Sequence, residues 1–273
     1  MDVRDRVVVV TGGASGIGRA LCHSFARHGA RAVVVADLDG PGAAAVVDEI
    51  ERGGGRAAAI LTDVSVERDV VELVRRTEAE YGPIDLFCAN AGIVVPGGVD
   101  TSNEAWERIW AVNVMSHVYA TRAVLPGMLE RGEGYLLHTA SAAGLLTQLD
   151  SASYAVTKHA VVALAEWLAI TYGDEGIGVS CLCPQGVRTN MFGGDVESTS
   201  APLVGRDGVL EPDAVAESVV AGLAVGRFLI LPHPEVAIYE RRRADDRGRW
   251  LQGMRRVRAV LTTKVQTPEG PPG

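Results

Sequence analysis

Short runs of Val, Ile, Leu and Ala without polar alternation recur along the chain: "RVVVVT" at 6–11, "AVVVA" at 32–36, "AAAIL" at 57–61, "IDLFCA" at 84–89, "GYLLHTA" at 134–140 and "GVSCLC" at 178–183. A strand that is apolar at every position has to be covered on both faces. The intervening segments, such as 65–81 and 103–131, carry apolar residues three and four apart, the spacing of a helix with one buried stripe. A seventh run, "RFLIL" at 227–231, follows the helix-like 211–225. Doubly covered strands separated by helices specify an α/β fold, a doubly wound parallel sheet of about seven strands in one domain. The expected organisation is a main domain over 1–235, a helical extension over 236–264 and a disordered tail over 265–273.

Composition removes several alternatives. A formal charge of −8 and a pI near 5.3 argue against a surface built for nucleic acid. The start, "MDVRDRVVVVTGG", has no basic leader followed by a long apolar region, and no stretch reaches the length of a membrane span. Cys22, Cys88, Cys181 and Cys183 fall in apolar runs, as buried reduced thiols of a cytoplasmic protein would. Cys181 and Cys183 point to the same face of a strand, but no histidine stands at ligand spacing from them, and no metal site is expected.

The first strand runs directly into "TGGASGIGRAL", which places Gly12, Gly16 and Gly18, with Ser15 and Ile17 between them, at the mouth of a helix. Glycine permits the tight turn and the close backbone approach that a pyrophosphate needs, and the helix N-terminus offers unpaired N–H groups. Strand and helix contexts are both met, so the pattern signifies a dinucleotide rather than a mere turn. Asp37 ends the second strand nineteen residues after Gly18. A carboxylate there accepts the ribose hydroxyls and repels a 2′-phosphate, favouring NAD over NADP, though Asp also serves simply in turns. Asp63, after the third strand, either faces the adenine or caps the next helix.

Of the 26 Lys and Arg residues only Lys158 and Lys264 are lysines, and Lys158 lies four positions after Tyr154 in "SASYAVTK". On a helix the two share a face. A nearby ammonium favours the phenolate and lowers the phenol's pKa, and its three donors can also reach a ribose hydroxyl. Taken alone, the pair equally suits an ordinary helix surface.

The order "TGGASGIG", Asp63, "ANAG" at 89–92, "VNV" at 112–114, Ser141 and "YAVTK" resembles the short-chain dehydrogenase/reductase family over about residues 4–232. The resemblance implies a Rossmann-type sheet and hydride transfer with a nicotinamide cofactor. It assigns Tyr154 as general acid/base and Lys158 as the cation that lowers its pKa and holds the nicotinamide ribose. Ser141 would hydrogen-bond the reacting oxygen, and Asn113 would anchor a water in the proton relay. Asn90, Ala91 and Gly92 would form the cofactor floor, Val64 would follow Asp63 along the adenine, and Pro184, Val187 and Thr189 would meet the nicotinamide. Blander roles stand beside these: Ser141 as a cap, Asn113 as a helix-kinking residue, Asn90 in a turn. A homodimer or homotetramer is the family's habit.

The chain departs from the family pattern at "CPQGVRTN", where Gln185 follows Pro184 in place of glycine, and at Ala89, where an Asn is common. Expected substrate-facing positions are Val94 and Val95, Leu145 to Gln148, Gln185, and Met191, Phe192, Leu203 and Val204 in an irregular lid over 190–212. They are mostly apolar, which suits a secondary alcohol or ketone with an apolar body. Residues 239–258 hold eight arginines against Glu240, Asp245 and Asp246, with Trp250, Met254, Val257 and Leu261 at helical spacing. The segment reads as one basic amphipathic helix that either packs over the lid or a subunit contact, or meets an anionic surface. Two further functions fit the same residues: an NAD-binding regulator or scaffold acting through this segment, and a dehydratase or epimerase on the same fold.

Overall fold

The computed structural model describes residues 1–189, 191 and 207–265. Seven parallel strands form one sheet in the order β3-β2-β1-β4-β5-β6-β7. They are β1 (Val7–Thr11), β2 (Ala32–Asp37), β3 (Ala57–Leu61), β4 (Leu86–Ala89), β5 (Gly134–Thr139), β6 (Ile177–Leu182) and β7 (Leu229–Ile230). Because successive side chains leave opposite faces of a strand, β1 divides its valines. Val7 and Val9 enter one core with helices α3 (Glu67–Tyr81), α5 (Ser116–Arg131) and α6 (Ala152–Tyr172). Val8 and Val10 enter the other with α1 (Gly16–Arg27), α2 (Gly40–Arg52) and α7 (Pro212–Ala224). The sheet is thus covered on both faces, as its uninterrupted apolar runs require.

Strand order reverses between β1 and β4, which opens a crevice beyond their carboxyl ends. Three elements differ from expectation. The stretch 103–131 is not one helix: α4 (Asn103–Trp110) passes through a π-helical turn, Ala111–Met115, into α5. One extra residue per turn cannot be read from spacing, and it brings Asn113 to the buried face. β7 is two residues long: of the apolar run 227–231 only Leu229 and Ile230 pair with β6. The basic segment is two helices, α8 (Glu235–Asp245) and α9 (Arg247–Val265). Asp246 separates them in an extended conformation, its carboxylate accepting from Arg249 N at 2.8 Å as a cap for α9. Of the side chains described from 235 onward only Val236 is buried. The lid residues Phe192, Leu203 and Val204, and the tail from 266, lie outside the described residues. No helix among the described residues is long and apolar enough to cross a membrane, and no cluster of His, Cys, Asp or Glu there is fit to hold a metal ion.

Candidate active site

A cleft of about 1370 Å³ follows the carboxyl ends of the strands. At one end is the glycine turn. Gly12 adopts φ +66°, and a Cβ on it would stand 2.9 Å from Ala91 Cα. A Cβ on Gly18 would fall 2.0 Å from the Gly12 carbonyl oxygen, so helix and turn touch backbone to backbone. Ser15 occupies the N-cap of α1 but its side chain caps nothing, which leaves the first N–H groups of α1 facing the cleft. Their dipoles and the surrounding bare backbone suit a pyrophosphate. Asp37 accepts from Ala14 N and Asp39 N, both at 2.9 Å, so it braces the glycine turn as well as lining the cleft. Asp63 accepts from the backbone and hydroxyl of Ser65 at 2.9 and 2.6 Å. It builds a turn ahead of α3 and does not cap that helix, whose N-cap is Val66.

Two threonines outside the expected set tie the strand ends together. Thr11 Oγ1 accepts from Asn90 N and Ala91 N, at 3.0 and 3.1 Å, and the Thr11 carbonyl accepts from Asn90 Nδ2 at 3.0 Å. Thr139 Oγ1 donates to Asn90 Oδ1 at 3.1 Å, so one amide bridges β1 and β5. The only signal for these roles in sequence was a polar residue closing an otherwise apolar strand.

Ser141, Tyr154 and Lys158 converge on the cleft floor. Ser151 caps α6, accepting from Tyr154 N at 3.2 Å, and the helix then presents Tyr154 and Lys158 one turn apart. Lys158 is 2% exposed, with Nζ donating to the Thr139 carbonyl at 2.9 Å and lying 5.6 Å from the centre of the Tyr154 ring. Gly144 permits this depth, since a Cβ there would meet the Lys158 carbonyl oxygen at 2.5 Å. Ser141 turns the chain into a short 3-10 turn, its oxygen accepting from Ala143 N at 3.1 Å, so its capping role is realised too.

Two groups sit in surroundings that spacing does not reveal. Burial pushes the Tyr154 phenol up to about 12, against the opposing pull of the Ser141 hydroxyl, and pushes Lys158 down to about 8. Desolvation is the leading cause at both groups. Asn113 is fully buried and stands behind the cleft, not in its wall. Its amide clamps Ile93, Oδ1 accepting from Ile93 N at 2.8 Å and Nδ2 donating to the Ile93 carbonyl at 2.9 Å, and Nδ2 also donates to Thr157 Oγ1 of α6 at 3.3 Å. That clamp fixes the loop after β4.

Ile17, Val64, Asn90, Ala91, Gly92, Pro184, Val187 and Thr189 line the cleft, as do Val94, Leu146, Thr147, Gln148, Gln185 and Met191. Leu145 is core, and Val95 packs beside Ile109 and Tyr154 outside the cleft wall. The far wall comes from the C-terminal arm, where the stripe Trp250, Met254 and Val257 faces inward. Its spacing was evident in sequence; its target was not. Two contacts set α8 in place: Tyr239 donates to Asp207 at 2.9 Å, and Arg243 donates to His159 Nε2 at 3.3 Å.

Comparison with known proteins agrees with this geometry. The chain is 36% identical over 251 residues to 1-deoxy-11-beta-hydroxypentalenate dehydrogenase of Streptomyces exfoliatus, covering 90% of each. It is 34% identical over 236 residues to cis-4-hydroxycyclohexanecarboxylate dehydrogenase of Sinomonas cyclohexanicum, covering 82% of this chain and 94% of that one. A crystal structure of a short chain dehydrogenase/reductase from Burkholderia phymatum in complex with NAD superposes with a TM-score of 0.83 at 28% identity, covering 100% of this chain and 99% of the other. The family model described as short chain dehydrogenase matches residues 6–199. The chain belongs to the short-chain dehydrogenase family and is an oxidoreductase of hydroxyl groups that works with a nicotinamide cofactor.

Proposed function

We propose that the protein transfers a hydride between NAD and a secondary alcohol or ketone with an apolar body, with Tyr154 as general acid/base. The observation that carries this reading is the convergence of Tyr154, Lys158 and Ser141 at the floor of the cleft that the glycine turn and Asp37 open. Nicotinamide supplies the hydride chemistry; the chain supplies orientation and the proton. Gly12, Ser15, Gly16 and Gly18 would hold the pyrophosphate and Asp63 with Val64 the adenine, with Asn90 and Gly92 beneath. The Asp37 carboxylate selects NAD, because a 2′-phosphate beside it would meet like charge.

Burial keeps Tyr154 a phenol through neutral pH, the state that protonates an alkoxide as a ketone is reduced. Oxidation requires the phenolate, which the Lys158 ammonium beside the ring favours. Ser141 orients the reacting oxygen, and Asn113 contributes by holding Ile93. The apolar wall supports an apolar substrate, as do the names of the two relatives, both dehydrogenases of alicyclic alcohols. Assembly as a homodimer or homotetramer belongs to the same proposal: Trp167 and Ile170 of α6 are 55% and 85% exposed, an apolar area that a second copy would cover. The four unpaired, buried cysteines suit a reducing cytoplasm.

The test is turnover of alicyclic secondary alcohols with NAD and, separately, NADP. NAD should be preferred, and Tyr154→Phe should lower kcat by about 10²- to 10⁴-fold with NAD affinity retained. Preference for NADP, or turnover that survives Tyr154→Phe, would overturn the assignment.

A further inference from the structure

We infer that the C-terminal arm gives the substrate end of the cleft an anion-binding rim, so that the alcohol accepted carries a carboxylate on its apolar body. This rests on the cleft being the substrate site proposed above. The inward residues of α8 and α9 recur every three to four positions, Arg242, Arg249, Trp250, Met254, Arg256 and Val257 among them, so one continuous face of both helices borders the cavity. That face alternates an apolar stripe with guanidinium groups. Arg108 of α4 joins the same cavity wall.

The four arginines are uncommitted. Among the described residues none of Arg108, Arg242, Arg249 and Arg256 forms a side-chain ion pair, although Arg19, Arg27, Arg75, Arg122 and Arg188 elsewhere on the surface each do. Asp207, Asp245 and Asp246 line the same region and offset three of the four charges, leaving the rim a formal +1. But Asp246 accepts from the backbone of Arg249 and Asp207 from Tyr239, and among the described residues none of the three pairs with these arginines, so the guanidinium N–H donors stay open to a ligand. Arginine's planar fork matches a carboxylate with two parallel N–H donors, and the adjoining Trp250, Met254 and Val257 would cover an apolar skeleton. The other anion in the cleft, the cofactor pyrophosphate, is served by the glycine turn and α1. The two ligands thus have separate anion sites.

The experiment is calorimetric titration of the full-length protein, saturated with NAD, with cyclohexanecarboxylate and with its neutral methyl ester. The acid should bind at least about tenfold tighter, as expected for a charged hydrogen-bonded pair, and more weakly as salt rises. In R249Q/R256Q that advantage should vanish, while the affinity for the ester and for NAD stays unchanged. Equal binding of acid and ester by the unaltered protein overturns the inference. So does a variant that weakens both alike, because the arm would then act only by shape, or one that weakens NAD, because the arginines would then serve the cofactor. Turnover of neutral alicyclic alcohols in the same preparations separates the two proposals: hydride transfer without acid preference refutes the rim alone, and acid preference without hydride transfer refutes the oxidoreductase reading of the site alone.

Discussion

Strand β1 and the arm stripe are both apolar, yet Val7 to Val10 have no exposure at all while Trp250, Met254 and Val257 remain half-buried over a cavity. The difference lies in what covers them. The valines are covered by helices from the same chain, three on each face of the sheet. The stripe is faced by space that a ligand would fill. Apolar residues therefore serve stability in the first region and recognition in the second, and substitutions in the two should separate along that line.

The largest effect is expected where backbone meets backbone. Gly18→Ala would place a methyl group 2.0 Å from the Gly12 carbonyl oxygen and 2.7 Å from Asn90 Nδ2. Gly12 cannot retreat easily, since its φ of +66° and its own approach to Ala91 hold the turn. Overpacking of this kind should cost about 3 kcal/mol in stability and abolish NAD binding. Thermal unfolding and a NAD titration check it. An unchanged melting point would mean that the turn is more yielding than the sheet it joins.

The next effect is a pH dependence inside the core. His117 on α5 and His138 on β5 meet Nδ1 to Nδ1 at 2.9 Å, both fully buried, and neither Nε2 has a partner among the described residues. Burial lowers both, His138 to about 4, and for His117 the charges of His138 and Lys158 act in the same direction. Below pH 6.5 the unfolded chain binds protons that the folded chain refuses. Stability is therefore complete above about 6.5 and is lost as pH falls toward 4, by on the order of 3 kcal/mol for His138 alone. Denaturant unfolding at stepped pH should show this slope, and His117→Leu/His138→Leu should flatten it. A double variant that keeps the slope would place the acid sensitivity elsewhere.

How much of this was legible followed the same division. The sheet could be read because burial on both faces leaves only apolar residues to choose, so the predicted and observed strands differ by a residue or two, except at β7, where only Leu229 and Ile230 of the apolar run pair with β6. The glycine turn and Asp37 were legible because each sits at a strand end with its helix context beside it, whereas the Tyr154, Lys158 and Ser141 roles came only from the family resemblance, since the Tyr154–Lys158 spacing alone suits any helix surface. The Asn113 clamp was not legible, because Asn113 lies within a π turn whose extra residue per turn is not visible in the spacing of the flanking helices. Thr11, Thr139 and Gly144 act through contacts from distant strands and helices, which spacing does not encode. The upward push on Tyr154 was not legible, because charge proximity is visible in sequence and desolvation is not. The arm's break was signalled after all: "ADDRG" offers an Asp at the position that caps α9.

The smallest effect on stability is expected in the arm, and it bears most directly on the contrast with β1. Trp250→Ala removes the largest side chain of the stripe, but on the unliganded protein it uncovers little that was not already open to the cleft, so the loss should stay within about 0.5 kcal/mol, as for a surface position. The ligand should register it differently. If the indole covers the apolar body of an alcohol, its removal forfeits about 1 to 2 kcal/mol of burial, roughly a five- to thirtyfold rise in KM. Hydride and proton transfer take place at the far end of the same molecule, beside Tyr154, so kcat should hold. Steady-state kinetics with a bulky and a minimal secondary alcohol separate these terms, because the minimal alcohol cannot reach Trp250 and its KM should not move. A large drop in melting temperature would show instead that the arm is buried by the chain itself, and the distinction between a stripe that stabilises and a stripe that recognises would fail at this residue.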